Sequence, residues 1–282
     1  MEHFAGARAR LSRAQEQTQV LQAEFQEFAA RSPHAVREIY DAATGRKRAV
    51  YLVLEEFPDA WSAVVGEIAY DLRSALDHAV YDLTCIESGG PLGQTGFPIF
   101  ESEDRYEEMT TRGEPALGTG VFKIRGVNRY AKAAIRSLQP FEARKATPFE
   151  EPALSLLGEL NAVDRQRTIP LCRLRWTGST IRSRRAVRDL RFHWEPTLEN
   201  GAVLATWSPA GALDGLDMAV DLDFDDGFGT EEPAPRRFQG RPVVEILERI
   251  EDAVAETVRV LEATVRLTGS VPSLYREAVT RR

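Results

Sequence analysis

Apolar residues recur at helical spacing near both ends of the chain and at strand spacing in two stretches between. Leu11, Ala14, Thr18, Leu21, Phe25 and Phe28 return every three or four residues. That stripe predicts an amphipathic helix over residues 5–30, closed by Ser32-Pro33. The period then changes. Val36, Ile39 and Tyr40 lead into a turn containing Gly45, and the apolar run 50–54 follows, the pattern of a β-hairpin. A second helix is expected from about Pro58 to Glu87. Its stripe of Trp61, Val65, Ile68, Leu72, Leu76 and Leu83 falls within about 120° on a helical wheel.

Residues 88–125 are rich in glycine, proline and charge and read as an irregular insertion. Their one apolar patch, Phe97-Pro-Ile-Phe100, is expected to dock on the core. A short helix over residues 127–138 is stopped by Gln139-Pro140, and another opens at Pro152 with Leu154, Leu157, Leu160 and Val163 inward. Residues 168–238 have a β pattern. Candidate strands at 169–176, 187–194, 202–207 and 218–224 are separated by Thr-Gly-Ser, Glu-Asn-Gly and Pro-Ala-Gly turns. The last helix starts at Pro242. Val243, Leu247, Ile250, Val254, Thr257, Leu261 and Val265 form a seam suited to lengthwise packing, most simply on the first helix. The expected fold is α+β: a helical bundle of four to five helices with an N-terminal β-hairpin and an antiparallel β-sheet inserted before the C-terminal helix. The expected divisions are 1–167, the bundle with its hairpin; 168–240, the β-rich insertion; and 241–282, the closing helix.

Composition narrows the chemistry. A net charge of −7 confines any nucleic-acid site to a local basic patch on an acidic body. Only Cys85 and Cys172 are present, without a CxxC pair or zinc-ligand cluster, so no metal and no cofactor are implied. There is no P-loop, GxGxxG or GxSxG. The first residues lack a signal peptide's apolar core, and no run approaches the roughly 20 apolar residues of a membrane span. The sequence therefore reads as cytoplasmic, with no membrane partner.

The second helix carries the most suggestive chemistry. Arg73 and His78 stand five apart, with Asp77 between them. An imidazole can take a proton from a ribose hydroxyl, and a guanidinium can hold the phosphate that is attacked. In that reading His78 is the acid–base group, Arg73 the phosphate clamp, and Asp77 orients or tunes the pair. Tyr70, Ser74 and Tyr81 share the polar face with Glu67 and Asp71, and with Arg165 and Arg167 they are the candidate substrate contacts. On the wheel Arg73 and His78 diverge by about 140°. A groove between two copies of the chain would bring an arginine and a histidine together, so a homodimer is expected. The plainer reading is an i,i+4 ion pair between Arg73 and Asp77, with His78 bonded to a neighbouring carbonyl. The same spacing recurs at Arg188 and His193, in a stretch of strand pattern.

The helix bearing Arg73-Ser-Ala-Leu-Asp-His78 resembles the motif helix of HEPN-type domains. These are helical bundles that often act as dimeric, metal-independent ribonucleases in toxin–antitoxin and defence systems. Only Arg73 and His78 carry over, and the resemblance covers about half the chain; the β insertion lies outside it. More closely, the chain resembles a group of bacterial proteins sharing the motifs found here at residues 66–78, 97–100, 138–141 and 164–167. The last of these reads Asp164-Arg165-Gln166-Arg167, with Gln166 where the pattern has histidine. A second acid–base group is thereby missing. The resemblance implies an RNA substrate, a second copy of the chain and a protein partner such as an antitoxin. Two alternatives stand beside cleavage: a non-catalytic protein-interaction module, and a degenerate HEPN fold that binds nucleotide or RNA without cutting.

Two further patterns carry expectations. Nine arginines between residues 165 and 191 face one acid, Asp189, with Trp176 and Trp194 in or beside the run. They form either a phosphate-tracking surface with stacking aromatics or cross-strand pairs with the acidic residues 214–226. Asp221-Leu-Asp-Phe-Asp-Asp-Gly227 resembles the start of a calcium loop with Glu232 at its twelfth position. Its sixth position is Asp226, where that loop needs glycine.

Overall fold

The computed structural model describes residues 3–90, 92–169, 171–183, 187–193, 199–209, 218–228 and 236–269. The chain runs α1 (Ala5–Ala30), β1 (His34–Asp41), β2 (Arg46–Val53), α2 (Ala60–Ser88), α3 (Glu103–Glu107), α4 (Gly120–Lys123), α5 (Arg129–Ser137), α6 (Pro140–Ala146), α7 (Ala153–Asp164), β3 (Leu171–Ser183), β4 (Val187–Phe192), β5 (Val203–Pro209), β6 (Met218–Phe228) and α8 (Val243–Gly269). The fold is α+β, with an N-terminal hairpin and antiparallel strands before the closing helix. The five longer helices are those the periodicity predicts. The three short ones have local causes. Ser102 caps α3 by accepting from the Arg105 N–H, and Thr119 caps α4 by accepting from the Phe122 N–H. α5 ends just before Gln139-Pro140 as expected, and Pro140 also begins α6, because its fixed φ suits a first helical turn that needs no N–H.

The chain divides into two compact units, residues 1–18, 65–167 and 247–282, and residues 19–64 and 168–246. In the first, Val65, Ile68, Leu72, Leu76 and Val80 of α2 are fully buried, as are Leu247, Ile250, Val254 and Leu261 of α8. Burying each such side chain is worth roughly 1.5–3 kcal/mol. The seam pairs as expected. Arg8 binds Glu262 at 2.7 Å and the Thr18 hydroxyl donates to Glu251, so α1 and α8 run antiparallel. α7 is fixed to α2 by Asn161, whose amide donates to the Ala69 carbonyl at 3.0 Å.

In the second unit, Phe25, Phe28, Phe57 and Trp61 pack their rings with centroids 4.7–5.8 Å apart. A four-stranded antiparallel sheet has the order β1-β2-β5-β4, and β3 pairs with β6. The hairpin turns at Gly45, whose φ of +67° suits glycine. Although sequence alone keeps this hairpin with the bundle, it is hydrogen-bonded to β5. Ala49 faces Ala205, but Val50 faces Val203, so Leu204 is an extra, bulged residue. β4 carries a second bulge, and Asp189 within it has φ +51°. The expected Thr-Gly-Ser turn does not form. β3 continues through it with a register shift between Trp176 and Gly178, a bulge of the kind an interior glycine often marks. The calcium-loop expectation fails for a similar reason, since residues 221–227 are extended within β6.

Candidate functional site

Four motifs singled out from sequence meet in the first unit, on α2. Arg73 and Asp77 lie one turn apart and form a two-bond ion pair, 3.0 and 3.2 Å. Together they grip one peptide group pair of the irregular segment. Arg73 donates to the Phe97 carbonyl at 2.5 Å, and Asp77 accepts from the Phe97 N–H at 2.8 Å. Phe97 itself is fully buried. Gln139 continues the grip. Its amide donates to the Pro98 carbonyl at 2.9 Å, and its oxygen accepts from the Phe100 N–H at 3.2 Å. A chain without regular secondary structure has backbone groups to satisfy, and here side chains satisfy them. Asp164 closes the circle from α7. A Cβ at Gly66 would lie 2.0 Å from its Oδ1, so the absence of a side chain there makes room for the carboxylate.

The site is cationic. Lys123, the last residue of α4, sits with its ammonium 5.7 Å from the Phe100 ring centroid. Its pKa is lowered, first by burial, then by the positive charges of Arg73 and Arg165, against the raising effect of Asp77. Neither Lys123 nor Arg165 has an ion-pair partner among the described residues, whereas about half of the described arginines of this unit do. Arg136, for example, binds Glu103, Glu107 and Glu142. Arg165 and Arg167 are both exposed. Lys123 and Gln139 were not candidates from sequence, because nothing in Gly120-Val-Phe-Lys123 marks a site.

His78 serves a different neighbour. A Cβ at Gly6 of α1 would lie 2.4 Å from its Nδ1, so the imidazole lies over Gly6. The ring is exposed and makes no hydrogen bond among the described residues. Arg73 and Asp77 are thus brought together, and His78 is not brought to them. Tyr70 and Tyr81 are 55% and 48% exposed, and Ser74 is half-buried. The Tyr70 ring centroid lies 5.9 Å from the Arg10 guanidinium carbon, and the neighbouring Cys85 raises the Tyr81 phenol. Asp71, grouped from sequence with this polar face, is buried. Arg10 at 2.5 Å and Arg13 at 3.1 Å from α1 pair with it.

Among the described residues no group of three or more His, Cys, Asp or Glu side chains is arranged to hold a metal, and no helix is long and apolar enough to cross a membrane. The arrangement can bind an anion: two cations without carboxylate partners stand beside a third whose only acid is already engaged. No protein-family model, curated protein or solved structure matches the chain.

Proposed function

We propose that this chain is a HEPN-like RNA-binding protein that holds phosphate through Lys123 and Arg165, beside Arg73, and that one copy alone does not cut. The observation that carries this reading is the unneutralised pair of cations. Asp77, already bonded to Arg73 and the Phe97 N–H, forms no ion pair with either cation and offsets their charge only in part. Arg73 orders the segment and adds its charge, while His78 lies over Gly6 of α1. A phosphate here would gain charge-assisted bonds at a partly buried site. The test is anisotropy of a labelled RNA 20-mer. Lys123→Ala/Arg165→Ala should bind at least tenfold more weakly than wild type at equal thermal stability. Equal binding would reject the reading.

One observation favours a second reading, a metal-independent ribonuclease assembled from two copies. His78 is exposed and has no hydrogen bond among the described residues. In that case cellular RNA is cut in the presence of EDTA, Arg73→Ala and His78→Ala are each inactive, and mixing the two variants restores part of the activity. Absence of cutting by wild type removes this reading and leaves the first.

A further inference from the structure

The two faces of the four-stranded sheet differ in chemistry. Register places Ile39, Arg48, Thr206 and Arg191 in one row across all four strands. The next row on the same face is Asp41, Arg46, Ser208 and Arg188. Arg37 joins this face two residues before Ile39. The opposite face buries Ala49, Tyr51, Ala205 and Trp207, with the Lys47–Glu38 ion pair beside them. Five arginines and two hydroxyls therefore share one surface. Neighbouring arginines along a strand are about 6.7 Å apart, and those flanking β5 about 9.6 Å.

Little on this face neutralises them. Asp41 reaches Arg48 only at 4.0 Å. The Asp189 carboxylate accepts from the Ser208 hydroxyl at 3.3 Å, and its backbone carbonyl accepts from Arg46 at 2.8 Å. Arg37, Arg188 and Arg191 are exposed and have no ion pair among the described residues. Among the described residues, the Nε atoms of Arg46 and Arg48 are buried without a hydrogen-bond partner. His193, 3.2 Å from the Thr206 hydroxyl, extends the polar surface at the β4 edge. Elsewhere the arginine-rich stretch is differently placed. Register sets Arg173 opposite Asp226 and Arg175 opposite Asp225 in the β3–β6 pair.

We propose that this sheet face, built from Arg37, Arg46, Arg48, Arg188 and Arg191 around Thr206 and Ser208, tracks a nucleic-acid phosphate backbone. The choice of RNA as that nucleic acid rests on the reading above; the residues do not. Repeated guanidinium forks at even spacing match a repeating anion, and interposed hydroxyls add neutral donors. An acidic protein is a poorer fit, because a protein interface centres on buried apolar and aromatic anchors. On these rows the exposed large apolar residue is Ile39. On a chain of net charge −7, such a face is a local exception that attracts polyanions to one place.

The full chain is titrated into fluorescein-labelled single-stranded RNA, the matched DNA and the matched RNA duplex, each from 50 to 300 mM KCl. Arg188→Gln/Arg191→Gln alters exposed positions and should melt as wild type does. Each lost phosphate contact lowers the slope of log K against log salt by about 0.7 for a single strand, so the double variant should lose about 1.4 and bind roughly 25-fold more weakly at 100 mM. Arg188→Lys/Arg191→Lys should recover most of the slope. An unchanged slope and affinity in the glutamine variant overturns the proposal, even where Lys123→Ala/Arg165→Ala weakens binding. The DNA arm separates the two readings. A preference for DNA that is lost in the glutamine variant keeps this surface and removes RNA as the ligand. Displacement of the oligonucleotide by poly-glutamate at equal charge concentration, or no binding to any probe at 50 mM, overturns it.

Discussion

Replacing Arg73 by alanine separates a structural arginine from a purely functional one. Its guanidinium holds the Phe97 carbonyl at 2.5 Å and Asp77 at 3.0 and 3.2 Å. Phe97 is fully buried, so without Arg73 its carbonyl loses a charge-assisted partner in a place water reaches poorly. Leaving such a group unpaired costs about 1–3 kcal/mol. The ion pair adds less. Asp77 is 38% exposed and one turn away, so the pair is worth about 0.3–0.5 kcal/mol. The total is about 1.3–3.5 kcal/mol, which at about 2–4 °C per kcal/mol lowers the melting temperature by about 3–14 °C. Had Arg73 been held only for chemistry, its removal would leave stability unchanged or improved.

The assay is urea and thermal unfolding of Arg73→Ala, Asp77→Ala and the double variant, with amide exchange at Phe97. Because both side chains grip the backbone of Phe97 and bond each other, their effects should couple by at least about 0.5 kcal/mol. Asp77→Ala should speed exchange of the Phe97 amide, and Asp77→Asn, which keeps an acceptor oxygen, should do so less. An Arg73→Ala protein melting within about 1 °C of wild type, together with zero coupling, would refute the reasoning. The same data govern any cleavage assay, since loss of activity in Arg73→Ala counts toward catalysis only after the loosened segment is accounted for.

Other perturbations have definite expected outcomes. Glu251 is buried, and burial raises its pKa, with Glu248 and Asp252 adding to the effect and the Thr18 hydroxyl opposing it. A raised carboxyl contributes stability that is present below the usual glutamate value of 4.5 and lost as pH rises through the folded value. Glu251→Gln should therefore melt higher than wild type at pH 7–8, with the difference shrinking toward pH 4; a gap independent of pH would contradict this. Gly120→Ala would place a Cβ 2.1 Å from the buried Tyr106 ring, and the overpacking should cost about 1–3 kcal/mol in urea unfolding. The Tyr106 hydroxyl is buried without a partner and its pKa is pushed up to about 12 by burial, so Tyr106→Phe should be at least as stable as wild type. Bound phosphate should raise the depressed pKa of Lys123, seen as a shifted titration of its side-chain carbon resonances in NMR; an unmoved titration would place the anion elsewhere.

Much of the fold is legible in the sequence because long helices and core-facing strands announce themselves by period. The α2 stripe and the α8 seam lie where their spacing puts them. The site is legible only where both partners are side chains on one helix. Arg73 and Asp77 at i,i+4 predict their ion pair, and the angular divergence of Arg73 and His78 agrees with their serving Phe97 and Gly6 respectively. The other half of the Arg73 contact is a backbone carbonyl, which leaves no mark in composition. Asp71 falls with the polar face of α2 in the sequence, and its burial is not legible there because its partners, Arg10 and Arg13, lie on another helix. The arginine face is harder still to read. It draws on β1, β2 and β4 and is spaced by hydroxyls on β5, and a strand's sequence does not name its neighbour in a sheet. Parity compounds the difficulty, since each bulge moves later side chains to the opposite face. Arg46, Lys47 and Arg48 show the limit within three residues. Alternation requires that the middle one part from its neighbours, and it does: Lys47 is 3% exposed and pairs with Glu38 at 2.5 Å. Burial of Ala49, Tyr51, Ala205 and Trp207 takes one face, and alternation then leaves Arg46 and Arg48 on the surface that Arg188 and Arg191 complete.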